Sequence, residues 1–229
     1  GQEAVSAVKA EEGLELVAET DIGDDLARAI RENRTQVVVD FTTASAGFAN
    51  AKIIIEAGAR PVIGTSGFRE EQVRELQVLA KARETGGVIA PNFAIGAVLM
   101  MKFAQEAAKY LPHVEVIELH HDGKADSPSG TAVRTVELIN QVRQKQVSTV
   151  KESFVISGAR GAELGGVHIH SVRLPGLVAH QQVIFGGAAQ TLTIQHDSLH
   201  RKSFMPGVVL ACKKVVTVTE LFYGLENLL

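Results

Sequence analysis

The sequence predicts an α/β fold in which a doubly wound parallel sheet is followed by a second, α+β domain with a mixed sheet. Three observations predict it. In the first half of the chain, helical periodicity alternates with short β-branched runs. Those runs are nearly continuous in apolar residues, as strands buried on both faces are. Beyond residue 95 the pattern changes to one long apolar helix and then to closely spaced period-2 segments.

In order, residues 2–11 read as a helix, 14–18 (Leu14, Glu15, Leu16, Val17, Ala18) as a strand, 24–33 as a helix and 36–40 as a strand. A helix over 44–58, a strand over 61–63, a helix over 70–84 and a strand over 87–89 complete the alternation. The long apolar helix spans 95–110, followed by a strand at 114–120 and a helix from about 129 to 144. Residues 145–153 are polar and weakly patterned, which predicts a mobile connection. Alternation then marks strands at 167–174, 181–185 and 191–196, and the apolar segment 204–229 reads as a helix and tail packed back on the first domain. The expected domains are residues 1–92 together with 203–229, and residues 93–202; no internal repeat is present.

The chain has 229 residues, 45% of them apolar and 21% charged, with 23 Lys and Arg against 26 Asp and Glu. That composition excludes disordered, collagen-like and low-complexity classes, and the near-neutral balance argues against a nucleic-acid partner. No run of about 18 apolar residues could cross a bilayer, and no basic segment followed by an apolar one opens the chain. A soluble protein with no membrane partner is expected. The single cysteine, Cys212, lies among apolar residues and reads as a buried structural thiol, consistent with a reducing compartment such as the cytoplasm.

In a doubly wound sheet, ligands collect beyond the carboxyl ends of the strands. Three loops occupy such positions: Asp40-Phe41-Thr42-Thr43, Gly64-Thr65-Ser66-Gly67 and Ala90-Pro91-Asn92-Phe93. Their glycines and small hydroxyls let backbone N–H groups approach a phosphate or a nicotinamide ring; the alternative is that Gly64, Gly67 and Pro91 are plain turn formers. A dinucleotide-binding, Rossmann-like fold opens with a strand and G-x-G-x-x-G leading into the first helix. Gly1 directly precedes the first helix and fits the last glycine of such a loop, with the strand and earlier glycines missing from this sequence.

The densest chemistry lies in His120-His121-Asp122-Gly123-Lys124-Ala125-Asp126-Ser127-Pro128-Ser129-Gly130-Thr131. A strand precedes it and a helix follows, so Ser129, Gly130 and Thr131 fall at a helix N-terminus whose N–H groups can bind an anion. His120, His121 and Lys124 add donors, and one histidine can act as a general acid near neutral pH. Such a cluster suits a dianionic substrate. The plainer reading is a polar turn before a helix capped by Ser127 or Ser129. Zinc is disfavoured and no metal is expected, since adjacent histidines on an extended segment point apart and no H-x-x-x-H or cysteine partner accompanies them. Arg201 suits either a fixed carboxylate partner or the surface. His168 and His170 share a strand face and read as packing or interface residues, His113 and His200 as surface, and His180 and His196 as strand ends outside the site. Arg160, Arg173 and residues 158–161 suit loop or subunit contacts.

The segment from Glu118 through Ala132 resembles the E-x-H-H-x-x-K-x-D-x-P-S-G-T-A signature of the 4-hydroxy-tetrahydrodipicolinate (dihydrodipicolinate) reductase family. Further segments resemble the family in the same order: Val39-Asp40-Phe41-Thr42, Val62-Ile63-Gly64-Thr65-Ser66-Gly67-Phe68, Ala90-Pro91-Asn92-Phe93, Ile169-His170-Ser171-Val172-Arg173-Leu174-Pro175-Gly176 and Tyr223-Gly224-Leu225-Glu226-Asn227. The resemblance implies NADH or NADPH as cofactor and a small cyclic dicarboxylate as substrate, reduced in the diaminopimelate route to lysine. Hydride would go to C4, with His120 as the acid and Lys124 as second proton donor and substrate contact. It implies that His121, Gly130, Thr131 and Arg201 hold the substrate carboxylates. Phe41, Gly64, Thr65, Ser66, Ala90, Pro91, Asn92, Phe93 and Gly1 would line the cofactor site, in a cytoplasmic homotetramer. The family pattern also places a ribose-reading residue after strand 14–18. Here the chain runs through Glu19, Thr20 and Asp21 into a later helix, which suggests a stretch left out between Glu19 and Thr20. Two other classes compete: an inactive or regulatory oligomeric relative without nucleotide binding, and a metal-dependent hydrolase built on His120 and His121.

Overall fold

The structure is a computed structural model describing residues 1–65, 67–144 and 153–229. The connection expected at 145–153 falls, but for Ser153, outside the described residues. The chain divides into one unit of Gly1–Ile95 with Lys202–Leu229 and another of Gly96–Arg201.

The first unit holds α1 (Gln2–Ala10), α2 (Leu26–Glu32), β1 (Val37–Asp40), α3 (Ala44–Glu56), β2 (Arg60–Ile63), α4 (Glu70–Ala82) and β3 (Gly87–Ile89). After the second unit, the chain returns with α7 (Met205–Val215) and β9 (Leu221–Tyr223). The four strands form a parallel sheet in the order β1-β2-β3-β9. Spacing explains the helix faces: Val73, Leu76 and Ala80 of α4 repeat at three and four residues and are buried, as are Val208, Ala211, Cys212 and Val215 of α7. Ile54 and Ile55 of α3 meet Ile63, Leu76, Ile89 and Leu221 in one core. Each fully buried isoleucine there is worth about 1.5–3 kcal/mol of hydrophobic stabilisation. Asp25 caps α2 by accepting from the Arg28 N–H at 2.9 Å, so that helix begins two residues later than the pattern suggests. Cys212 is buried, which pushes its thiol up to about 11.

One expectation is corrected in this unit. Residues 14–18 alternate as a strand should, with Leu14 and Leu16 half-buried and Glu15 and Val17 exposed, but they form no strand. A strand exists only through backbone pairing, and among the described residues this segment has no ladder partner; β1 pairs with β2 alone. The tail after α7 lies in this unit, and within it Leu221, Phe222 and Tyr223 pair with Gly87, Val88 and Ile89 and add a fourth strand. Three residues are too few to display a period.

The second unit contains α5 (Ile95–Ala108), β4 (His113–His120), α6 (Gly130–Val142), β5 (Ala162–Leu164), β6 (Val167–Arg173), β7 (Ala179–Gly187) and β8 (Gln190–Ser198). Its mixed sheet runs β5-β6-β4-β7-β8, with β4 and β6 parallel and the other neighbours antiparallel. Strand β5, all three residues exposed, carries no apolar alternation and was not legible beforehand. One sheet face buries Val116, Ile169, Val183 and Phe185, and α6 buries Ala132, Thr135, Val136, Leu138 and Ile139. Among the described residues, no helix is long and apolar enough to cross a membrane.

Candidate active site

Alternation along β4 fixes the second unit's site. Val114, Val116 and Glu118 point to the buried face, and His120 follows two residues later on the same side. Glu118 has no exposed surface, and His120 shows 13% of its side chain. The His120 Nδ1 donates to Glu118 Oε2 at 2.5 Å. Arg173, at the end of β6, closes a two-pronged pair on the same carboxylate: Nη1 to Oε2 and Nη2 to Oε1, both at 2.8 Å. Burial pushes the Glu118 carboxyl upward, but the hydrogen bonds from His120, Arg173 and Ser171 outweigh it and bring it down to about 2. Glu118 is therefore ionised at any working pH and can only accept, so the proton on the adjoining imidazole nitrogen belongs to Nδ1. The other ring nitrogen, Nε2, stays available for chemistry.

The same ion pair reaches into the following loop. Glu118 Oε1 accepts from the Ser129 N–H at 3.3 Å, and Arg173 Nη2 also donates to the Asp126 carbonyl at 2.8 Å. Ser129 caps α6 by accepting from the Ala132 N–H, so Gly130 and Thr131 open a helix whose first amides point outward. Thr135 in the next turn donates to the Thr131 carbonyl and accepts from Gln181 of β7, which fixes the helix start against the sheet. Lys124, mostly buried, places its ammonium 2.6 and 2.7 Å from the two Asp126 oxygens. Burial raises the Asp126 carboxyl, yet the Lys124 hydrogen bond and charge leave it below its ordinary range. His121 is half-buried one residue along, and the structure thus gathers His120, His121, Lys124, Gly130 and Thr131 on one strand-loop-helix segment. Arg201 stands apart: it is exposed and makes no hydrogen bond or ion pair among the described residues.

In the first unit, the three loops follow β1, β2 and β3 at the carboxyl edge of the parallel sheet. Asp40 is buried and shapes the first, accepting from the Thr42 N–H at 2.7 Å, the Thr42 hydroxyl at 2.6 Å and the Asn50 amide at 2.8 Å. This bends the chain so that the Phe41 ring lies over Gly64, where a Cβ would fall 2.0 Å from it. Phe41 also meets Phe93 edge-on, ring centroids 5.6 Å apart. Asn92 accepts from the Ala94 N–H, and Gly207 lets α7 pass so close that a Cβ there would lie 1.9 Å from the Phe93 carbonyl. Ala90 is buried and Pro91 half-buried. Gly1 is the N-cap residue of α1. Ser66 lies outside the described residues. The buried Thr65 hydroxyl has no hydrogen-bond partner among the described residues. A buried hydroxyl at a strand end, beside a glycine held bare by an aromatic ring, fits a group such as a carboxamide that brings its own donors and acceptors.

Two residues of the site escaped the reading of the sequence. Glu118 stood in the quoted motif without a role, although its i, i+2 spacing from His120 on a strand was the signal. Arg173 was expected at a loop or subunit contact; it is instead the partner of the buried Glu118, because β6 pairs with β4 in the register that sets Arg173 beside His120. Arg160, by contrast, does make a loop contact, pairing with Glu115, which also accepts from His170 at 2.8 Å. The rings of His168 and His170 stack along β6, 6.5 Å apart.

Residues 1–93 match a family model described as dihydrodipicolinate reductase, N-terminus, and residues 96–229 match its C-terminal counterpart. A 4-hydroxy-tetrahydrodipicolinate reductase of Shouchella clausii (strain KSM-K16) is 51% identical over 250 aligned residues, taking in all of this chain and 95% of the relative. The alignment is longer than this chain, so that relative has insertions with respect to it. A namesake from Listeria monocytogenes serotype 4b (strain CLIP80459) is 50% identical with the same coverage. Among solved structures, a dipicolinate-bound dihydrodipicolinate reductase from Paenisporosarcina sp. TG-14 superposes with a TM-score of 0.84 at 46% identity, covering 100% of this chain and 95% of that one. An amine dehydrogenase from Mycobacterium smegmatis, 13% identical with a TM-score of 0.62, covers 95% of this chain and 89% of its own and shares the fold alone.

Proposed function

The chain belongs to the dihydrodipicolinate reductase family, and from that premise we propose how its residues divide the reaction. Its activity is the NADH- or NADPH-dependent reduction of 4-hydroxy-tetrahydrodipicolinate, a cyclic dicarboxylate, in the diaminopimelate route to lysine. The observation that carries the proposal is the buried Glu118 carboxylate on His120 Nδ1, which leaves Nε2 as the acid.

Once the 4-hydroxyl has left as water, the ring is a conjugated imine whose C4 can accept a hydride, which the cofactor would supply when bound. Phe41, Gly64, Thr65, Ser66, Ala90, Pro91, Asn92 and Phe93 hold its nicotinamide end, and Gly1 at the start of α1 lies toward its phosphates. Addition at C4 leaves an enamine, and His120 delivers the proton that completes the reduction. Lys124 exchanges its partner Asp126 for a substrate carboxylate and can act as second proton donor. His121 and the amides at Gly130 and Thr131 hold the carboxylates, with Arg201 adding positive charge. Donors fixed before the substrate arrives need no reorganisation as charge develops.

A cytoplasmic homotetramer is the expected assembly. The second face of the mixed sheet supports it: Ile117, Leu119, Val172 and Ile184 are only half-buried in the single chain and alternate with Glu115, His170 and Gln182, a mixed face that a second copy would cover. A monomeric mass in light scattering overturns that assembly. For the reaction, NADH and NADPH oxidation is followed with freshly generated 4-hydroxy-tetrahydrodipicolinate and a no-substrate control. Substrate-dependent oxidation is expected, and the ratio of the two kcat/KM values gives the cofactor preference; no oxidation with either cofactor overturns the reading.

A further inference from the structure

We propose that Glu118 and Arg173 form a positioning pair that sets the tautomer of His120 and, through the same carboxylate, ties the proton donor to the helix start that receives the substrate. This rests on the assignment of His120 as the acid and extends it to two residues that do not touch the reacting atoms.

Three features carry it. Glu118 is fully buried, and donors converge on it from several sides: His120 Nδ1, both terminal nitrogens of Arg173, the Ser129 N–H and the Ser171 side chain. A surface ion pair would be loose, but a buried carboxylate gripped from both sides has one orientation, and so does the ring attached to it. Arg173 also holds the Asp126 carbonyl, so the histidine, the loop bearing Lys124 and the first residue before α6 all hang from one ion pair. A carboxylate behind a histidine ring accepts from one ring nitrogen and so fixes which nitrogen carries the proton. The groups facing this pair are few. β6 contributes Arg173 and Ser171, the loop contributes the Lys124–Asp126 pair, and the start of α6 contributes the Ser129 amide. From β7, Ala179 and Gln181 lie opposite His120 and Glu118 and are uncharged, and His196 of β8 lies beyond Gln181.

The test compares wild type, Glu118→Gln, His120→Gln, the double variant and Arg173→Lys. Gln at 118 keeps the shape but offers an N–H where the ring needs an acceptor. It should lower kcat about 10- to 100-fold with KM for substrate and cofactor within about 3-fold. In the His120→Gln background the Glu118 change should produce no further drop, because it acts through the ring. Imidazole 15N spectra should show the proton on Nδ1 in wild type and on Nε2 in Glu118→Gln. Arg173→Lys keeps the charge but loses the two-pronged grip, and a drop of about 3- to 10-fold is expected. Wild-type kcat in Glu118→Gln, or an equal further loss in the double variant, would overturn the proposal. So would an unchanged ring spectrum. Should Glu118→Gln fail to fold, Arg173→Lys with wild-type kcat and spectrum overturns it instead. If His120→Gln alone keeps full turnover, the acid assignment fails, and the ring spectra still decide the positioning role separately.

Discussion

The two units build their ligand-facing edges by opposite means. The second unit uses charge: a buried carboxylate, an arginine, a lysine paired with an aspartate and the His120 ring, fixed by hydrogen bonds between 2.5 and 3.3 Å. The first unit uses shape: a glycine lying under an aromatic ring, a buried hydroxyl, and loops bent by Asp40. The difference fits the ligand proposed for each edge. A dianion needs compensating charge held in place before it arrives, since a buried charge is tolerated only with partners. A flat, mostly neutral ring needs a close backbone approach and a few polar atoms.

If that division is right, substitutions in the charged site should strike turnover, and those in the shaped site should strike cofactor affinity. The largest effect is expected for His120→Gln, a fall in kcat of about 100-fold or more with little change in substrate KM; unchanged turnover in steady-state assays would break the comparison at its strongest point. Lys124→Ala should reduce kcat/KM about 30-fold through both terms, because a charge and a donor are lost together. A change confined to cofactor KM would place Lys124 on the wrong side of the division. Gly64→Ala should raise the KM for NADH or NADPH about 10-fold, since the new Cβ would fall within the Phe41 ring and displace it. Substrate KM should stay constant in the same titrations.

The smallest effect concerns stability. Glu118 titrates at about 2 in the folded protein, below the ordinary 4.5 for such a carboxyl, so it binds protons more readily when unfolded. Its contribution is present above about pH 4.5 and is lost as pH falls toward 2. Chemical denaturation across that window should show stability declining with acid, and Glu118→Gln should show a shallower decline. An identical slope would mean that the carboxylate is not held as its donors suggest.

Much of the candidate site was legible because its residues are neighbours in the chain. His120, His121, Lys124, Gly130 and Thr131 lie within twelve residues, so a strand ending and a helix beginning were enough to gather them. Arg173 was not legible, being more than fifty residues from Glu118; only the parallel pairing of β4 with β6 brings the two together. Local alternation likewise suggested a strand at residues 14–18 that pairing does not support, and it was silent about Leu221–Tyr223, which pairing makes a strand.

The sequence by itself determined the alternation of elements, the faces of α4 and α7, the glycines and small hydroxyls at three strand ends, and the histidine-lysine loop before a capped helix. Each is a consequence of short-range periodicity or of one residue's own geometry. The tertiary structure alone decided which strands exist, which residue lies beneath His120 and which nitrogen of its ring is left for the substrate. Those depend on hydrogen bonds between segments distant along the chain, and no local pattern encodes a register.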